Sequence, residues 1–157
     1  MSTSNTSQRR LKLFLRAEPE IGTEQTKQEV VDRLVELERE GHIDEYDIGV
    51  WGKSLRTDGP LTRTDYQREI LAHLRAFREW AERHGVSLTC AFDERDVTSM
   101  LTEESYRVVD LPTVCLAVYE DEALAGVYPC HDGSRSRSVL EYLEAMAADG
   151  QPRAADA

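Results

Sequence analysis

The sequence predicts one α/β domain with a mixed sheet and helices on both faces. Strand-like runs in the first half are followed by helical periods, the pattern of right-handed parallel crossovers. The last third carries two strand-like runs joined by a short turn, and a capped helix follows them. A chain of 157 residues also fits one domain better than two.

The first half of the chain alternates strands and helices. Apolar residues alternate in the strand-like runs and recur every three or four residues in the helical ones. Thr64 and Gln67 have the spacing of a capping box, and Gly41 and Gly85 are typical helix ends. The predicted elements are a strand at 11–16, a helix from Thr23 to Gly41, a strand at 46–51 and a helix from Thr64 to Gly85.

The second half begins with a weaker pattern and ends with a clear one. Residues 86–92 (VSLTCAF) alternate, which predicts a half-buried strand, whereas 93–108 are polar and predict irregular structure with a short helix at 96–104. Residues 111–120 and 123–130 predict a β-hairpin. Ser138 and Glu141 then have capping-box spacing for a final helix. The expected sheet has four to five strands.

The ends of the chain differ from its centre. Residues 1–10 and 147–157 are polar or low in large apolar residues, so we expect disordered tails around a domain at 11–146. The longest apolar runs are only a few residues, which predicts no transmembrane helix. The polar start leads into no apolar signal core, and we therefore expect a cytoplasmic protein.

The charge balance is strongly acidic. The formal net charge is −11, and 16 of the 19 basic residues are arginine. Acidic, lysine-poor composition is similar to that of proteins from salt-in halophilic archaea, and an acidic domain from a high-GC organism is the alternative. Net negative charge disfavours nucleic acid in dilute buffer, but molar salt screens charge over about 3 Å and weakens that objection.

Three cysteines, Cys90, Cys115 and Cys130, form no CxxC pair. Cys115 and Cys130 fall on opposite arms of the predicted hairpin, where they could form a redox-sensitive thiol pair. We favour the alternative of two small buried hydrophobic residues. The sequence contains no spacing of metal ligands, catalytic groups or phosphate-binding glycines, so we expect no metal, no cofactor and no catalytic residues.

Residues 109–119 (VDLPTVCLAVY), the turn, the strand residues 124–127 (LAGV) and the capped helix resemble the C-terminal half of a thioredoxin-like (glutaredoxin-like) domain. The resemblance implies a thioredoxin-like three-layer sandwich that ends in a hairpin plus helix. It places a cis-proline at Pro112, beside the loop after the first strand. That loop, Arg16–Thr23, contains no cysteine, so the family's redox activity does not carry over.

This resemblance implies a non-catalytic domain that binds another protein or a second copy of itself. We expect the Leu111–Pro112 bond to be cis, with its strand parallel to 11–16 and Pro112 facing the first loop. Trp51 and Lys53 end the second strand, at the sheet edge where open α/β sheets bind ligands; closure of the core is the alternative for Trp51. The expected binding residues are Arg16, Glu18, Pro19, Thr23, Trp51, Lys53 and Pro112.

Arg135 and Arg137 precede the final helix, whose N-terminal N–H groups favour anions. We therefore consider an anion site there, with a solvated helix cap as the favoured alternative. The whole chain also resembles small halophilic-archaeal proteins classed as helix-turn-helix domain proteins, through the segments LKLFLRAEPEIGT, VWGK and LPTVCLAVYE. That class implies a DNA-binding transcriptional regulator, the alternative function. A helix-turn-helix joins two helices by a short turn, whereas here a strand separates every predicted pair.

Overall fold

A mixed four-stranded sheet organises the computed structural model, which describes residues 8–17, 22, 24–57 and 64–148. The strand order is β2-β1-β6-β7; β1 and β2 are parallel, and β6 is antiparallel to both β1 and β7. The elements in chain order are β1 (Arg9–Arg16), α1 (Glu24–Arg39), β2 (Glu45–Trp51), β3 (Ser54–Arg56), α2 (Asp65–His84), β4 (Asp93–Thr98), β5 (Ser105–Asp110), β6 (Val114–Glu120), β7 (Ala123–Tyr128), β8 (Cys130–His131), β9 (Ser136–Arg137) and α3 (Val139–Ala148).

The helices cover both faces of this sheet. Leu11 and Leu13 of β1 belong to the core cluster that includes α1 and α3. Phe14, whose side chain points the other way, belongs to the cluster that includes α2. The predicted α/β class, with a mixed sheet and helices on both faces, is therefore confirmed.

A second sheet lies beside the first, and the sequence prediction missed it. It has three antiparallel strands in the order β3-β5-β4. The prediction of irregular structure with a short helix across 93–108 is wrong. β4 is mostly exposed and charged, and the two buried residues of β5, Val108 and Val109, are adjacent, so neither strand has the apolar alternation that identifies a half-buried strand. Cross-strand ion pairs support the hairpin instead, as Arg95 with Asp110 (3.1 Å) shows.

The predicted strand at 86–92 is also wrong. The amide of Phe92 donates to the carbonyl oxygen of Leu88 (2.9 Å), which closes a helical turn. Leu88 and Phe92 are buried while Cys90 is exposed, so the burial follows a spacing of four rather than two. A single β-bridge, Ser87 with His131, is what remains of the expected strand.

The entry into β6 differs from the expectation in two ways. The strand pairs antiparallel to β1, not parallel, because it enters the sheet where β1 leaves it: the amide of Arg16 donates to the carbonyl of Thr113 (2.9 Å). The Leu111–Pro112 bond is trans, and the cis bond of the described residues is Tyr128–Pro129. The amide of Leu111 donates to the carbonyl of Lys53 (2.8 Å), which extends the β3–β5 pairing by one residue, to Leu111.

The predicted helix signals at residues 64–85 and 138–141 are confirmed. Thr64 and Gln67 form a reciprocal capping box, and Gly85 ends α2 in the left-handed conformation at φ 66°. Ser138 and Glu141 exchange the corresponding bonds at α3 (3.0 and 3.1 Å). Residues 9 and 10 of the predicted N-terminal tail belong to β1, and residues 147 and 148 of the predicted C-terminal tail belong to α3. Tail positions 1–7 and 149–157 lie outside the described residues.

The capping box yields a stability prediction. Thr64→Ala removes the hydroxyl that accepts from the Gln67 amide (3.1 Å) and should lower the free energy of unfolding by about 1 kcal/mol in urea titrations. Thr64→Ser keeps the oxygen and is the matched control, expected within about 0.5 kcal/mol of the parent. Equal losses in both variants would mean that packing of the Thr64 methyl group, not the cap, stabilises the helix end.

Candidate functional site

The carboxyl ends of β1 and β2 bring together four of the predicted binding residues. The indole N–H of Trp51 donates to the carbonyl of Pro112 (3.0 Å), and the guanidinium of Arg16 donates to the carbonyl of Leu111. Lys53 joins the group through its carbonyl oxygen, which accepts from Leu111. The other three predicted residues, Glu18, Pro19 and Thr23, lie outside the described residues.

These contacts connect strands to one another. Trp51 is 1% exposed, and its ring stacks on Phe14 with centroids 4.6 Å apart and planes 12° apart. Its N–H is already used by the backbone of Pro112. Trp51 therefore closes the core, the alternative that the sequence left open. Ligand binding by the remaining residues at this edge stays a prediction.

Lys27 is a feature of this edge that the sequence analysis missed. Its side chain is buried at the start of α1, and its ammonium donates to the carbonyl of Arg16 (2.7 Å) and to Glu24 (3.2 Å). It thereby satisfies a backbone carbonyl at the end of β1. The sequence does contain a signal that Lys27 is buried: it lies three residues before Val30, which places both side chains on the buried face of α1.

Arg135 and Arg137 both face carboxylates of this chain. Arg137 donates to Asp132 (2.7 Å), and Arg135 pairs with Glu141 (3.3 Å). The Arg137 guanidinium, with further hydrogen bonds from Ser134 and the Arg135 amide, holds the pKa of Asp132 well below its usual range. An anion would have to compete with these carboxylates, so the anion site stays a prediction.

The cysteines are free thiols in the structure. Cys115 is fully buried, and burial raises its pKa far above the usual value. Burial also raises the pKa of Cys130, and nearby Cys90 adds to the shift. Protonated thiols are poor nucleophiles. Their buried positions agree with the favoured interpretation as small core residues, and the thiol pair stays a prediction.

The outer face of α2 carries the arginines that the helix-turn-helix alternative needs. In the part of the chain that the structure describes, α2 packs into the core cluster that contains Phe14 and Trp51. The helices α1 and α3 pack into the second core cluster, on the opposite face of the sheet. The exposed arginines of α2 are Arg68, Arg75, Arg78 and Arg83. Arg68 pairs with Asp65 (3.0 Å) and Arg78 with Glu94. Among the described residues, Arg75 and Arg83 have no ion-pair partner.

A polar cleft of about 480 Å³ separates the first half of α2 from β1 and β2. Lys12 pairs there with Asp47 (3.4 Å), and Arg10 lies over the ring of Tyr119 (5.2 Å to the centroid). His73 of α2 borders the cleft and packs edge-on against Phe14 (5.1 Å). Sequence analysis missed the cleft because its residues come from four separate elements.

His73 gives the cleft a pH dependence. Burial and, to a smaller extent, the charge of Lys12 lower the pKa of His73 below the ordinary 6.5, and the carboxylate of Glu69 opposes this shift. The other charged residues that line the cleft are Arg10, Glu45 and Asp47. Unfolding restores the ordinary pKa, so the stability from neutral His73 is complete above about pH 6.5 and decreases as the pH falls below it. We expect the His73 Cε1 proton to titrate with a midpoint below 6.5 by NMR.

His73→Gln supplies the assignment and the control for this titration. The parent should lose more unfolding free energy than His73→Gln between pH 7.5 and 5.5, because only the parent has an imidazole to protonate at this position. A midpoint at or above 6.5, or equal losses in both proteins, would show that the burial of His73 does not disfavour its charged form.

The described residues contain no group of three His, Cys, Asp or Glu side chains that could hold a metal ion. They also contain no helix that is long and apolar enough to cross a membrane.

Comparison with known proteins places the chain in a family. Neither the curated proteins nor the solved structures give a significant match. A family model described as "Helix-turn-helix domain" matches residues 3–151. This supports the helix-turn-helix resemblance and does not confirm the thioredoxin-like one. In the described part of the chain, strands separate each helix from the next. Because the match covers nearly the whole sequence, the chain belongs to this helix-turn-helix domain family.

Proposed function

We propose that the protein is a DNA-binding regulator whose α2 presents its outer face to the major groove. Membership of the helix-turn-helix domain family supports this class of function. The observation that carries the proposal is the arginine-bearing outer face of α2. Its buried face is held by the sheet, which leaves the outer face to solvent.

The dimensions of α2 suit this role. The helix has 20 residues and is therefore about 30 Å long. A helix with its side chains is about 10–12 Å wide, and the major groove of B-DNA is about 12 Å wide. Arginine donates two hydrogen bonds to the O6 and N7 atoms of guanine, the commonest specific contact in that groove. Arg75 and Arg83 are available for such contacts.

The two paired arginines can also contribute. The Arg68–Asp65 and Arg78–Glu94 pairs lie at the surface, where an ion pair contributes only about 0–1 kcal/mol. A phosphate oxygen can replace such a carboxylate at little cost. These residues would thus position the helix on the backbone, and Arg75 and Arg83 would contact bases.

The net charge of −11 determines the conditions under which binding occurs. Repulsion between this charge and the phosphates opposes association in dilute buffer. At molar ionic strength the screening length is about 3 Å, so contacts at the interface survive while the repulsion at longer range is lost. We therefore expect the net charge not to prevent DNA binding in molar potassium chloride.

The proposal is tested by selecting duplexes from a random library in molar potassium chloride and then measuring affinity by fluorescence anisotropy. The double variant Arg75→Ala/Arg83→Ala should weaken binding to the selected sequence by about tenfold or more, since each bidentate base contact contributes about 1–3 kcal/mol. The matched control is Arg33→Ala/Arg39→Ala on α1, which packs on the opposite sheet face. A library with no enriched sequence, or equal losses in both double variants, would contradict the proposal.

A non-catalytic protein-interaction module is the second candidate, and the order of the elements favours it. The thioredoxin-like resemblance implies a β-α-β unit followed by a hairpin and a helix packed on the sheet. β1-α1-β2 and β6-β7-α3 run in that order. Arg16 and Pro112 also lie near each other, although the proline bond is trans. The partner would be another protein or a second copy of this chain.

This candidate has its own test. In an insulin-reduction assay with dithiothreitol, the protein should give no acceleration over buffer, because Cys115 is buried with a raised pKa. Cys115→Ser is the control. Turnover that disappears in Cys115→Ser would indicate a thiol enzyme and overturn the non-catalytic assignment.

A further inference from the structure

An apolar groove of about 320 Å³ runs along one flank of α2. It lies between the helix and the segment 86–94 that leads into β4. Its apolar walls come from Leu74, Phe77, Ala81, Val86, Leu88 and Phe92. Grooves of this size and character are common binding sites for apolar side chains.

The tip of the β4–β5 hairpin shows the complementary feature. Met100 is 94% exposed and Leu101 is 96% exposed, the largest exposures among the large hydrophobic residues described. They are adjacent, so together they form one apolar projection. Leaving two such side chains in water costs free energy that a binding partner would recover.

The tip is an ordered turn. The amide of Ser99 donates to the carbonyl of Glu104, and the amide of Glu103 donates to the carbonyl of Ser99, both at 2.8 Å. The Ser99 hydroxyl accepts from the amides of Leu101 and Thr102 at 3.3 Å. Met100 and Leu101 are therefore presented on a preorganised loop, which lowers the entropy lost on binding.

The tip cannot fill the groove of its own molecule. Glu94, near the base of β4, borders the groove, whereas the tip follows the far end of that strand at Thr98. Six strand residues span about 20 Å. A second copy has no such restriction.

Apolar complementarity, not charge, carries the match between the two surfaces. Glu82 and Glu94 border the groove beside Arg78, which already pairs with Glu94, and Glu103 and Glu104 follow the apolar pair at the tip. We infer that the tip of one copy inserts Met100 and Leu101 into this groove of a second copy, and that the exchange is reciprocal in a two-fold dimer.

Cys90 offers a direct test, because it is exposed on the segment that forms one wall of the groove. In Leu101→Cys, mild oxidation should join the new thiol to Cys90 of the second copy and give a covalent dimer on a non-reducing gel. A disulfide between the new thiol at position 101 and Cys90 of the same copy is not expected, because β4, about 20 Å long, lies between the two positions. A disulfide needs Cα atoms within about 7 Å of each other. The matched control, Glu122→Cys, puts a thiol on the exposed β6–β7 turn and should stay monomeric.

Three outcomes of the oxidation would overturn the inference. Equal cross-linking of Leu101→Cys and Glu122→Cys would indicate random collision. A dimer that persists in Cys90→Ser/Leu101→Cys would show that tip meets tip. The absence of any dimer in Leu101→Cys would show that the tip does not reach the groove.

Sedimentation equilibrium of the full chain tests the same contact without a new thiol. The parent should be a dimer, and Met100→Ser/Leu101→Ser should shift the equilibrium at least tenfold toward monomer while circular dichroism stays unchanged. A parent that is monomeric up to its highest soluble concentration, or a double variant that dimerises like the parent, would overturn the inference. DNA is absent from both experiments, so their result is independent of the proposed function.

Discussion

The stack of Phe14 on Trp51 is the interaction on which the arrangement of the molecule depends. The two residues occupy neighbouring parallel strands, and their rings lie 4.6 Å apart. Phe77 of α2 packs edge-on against Phe14 (6.2 Å), and Phe92, just before β4, packs edge-on against Trp51 (5.9 Å). One aromatic pair thus positions both α2 and the hairpin that follows it against the central sheet.

Much of the central sheet could be predicted from the sequence because its periods are local and unambiguous. The alternation of 11–16 and the capping pair Thr64 and Gln67 depend on neighbouring residues, and the structure contains both features. The β4–β5 hairpin could not be found in this way. Its first strand, β4, gains support from ion pairs to residues more than ten positions away, such as Arg95 with Asp110, and a polar strand resembles a loop when hydropathy alone is considered.

The predicted site residues show the same division. The sequence predicts Arg16, Trp51 and Pro112 at one edge, and they do meet there, but they do so because β6 runs antiparallel to β1, whereas the predicted strand is parallel. Whether a side chain at that edge faces solvent depends on its neighbours in space: the Trp51 ring is covered by Phe14 and Phe92. Lys27 illustrates the converse case, because nothing local indicates that its ammonium will meet the carbonyl of Arg16.

The two proposed surfaces lie on different sides of the same helix and share one residue, Arg78, which borders the groove and pairs with Glu94. Groove residues such as Leu74 and Ala81 project toward the sheet side of α2, whereas Arg68 and Arg75, seven residues apart, share its outer face. Occupying the groove would therefore leave those arginines exposed. A two-fold dimer formed through the grooves would present two α2 helices related by symmetry, which is how dimeric DNA-binding proteins contact palindromic half-sites. A monomer would contact DNA through one helix with few unpaired arginines. Self-association through the tip would bring two such helices to the DNA together and so increase the overall affinity.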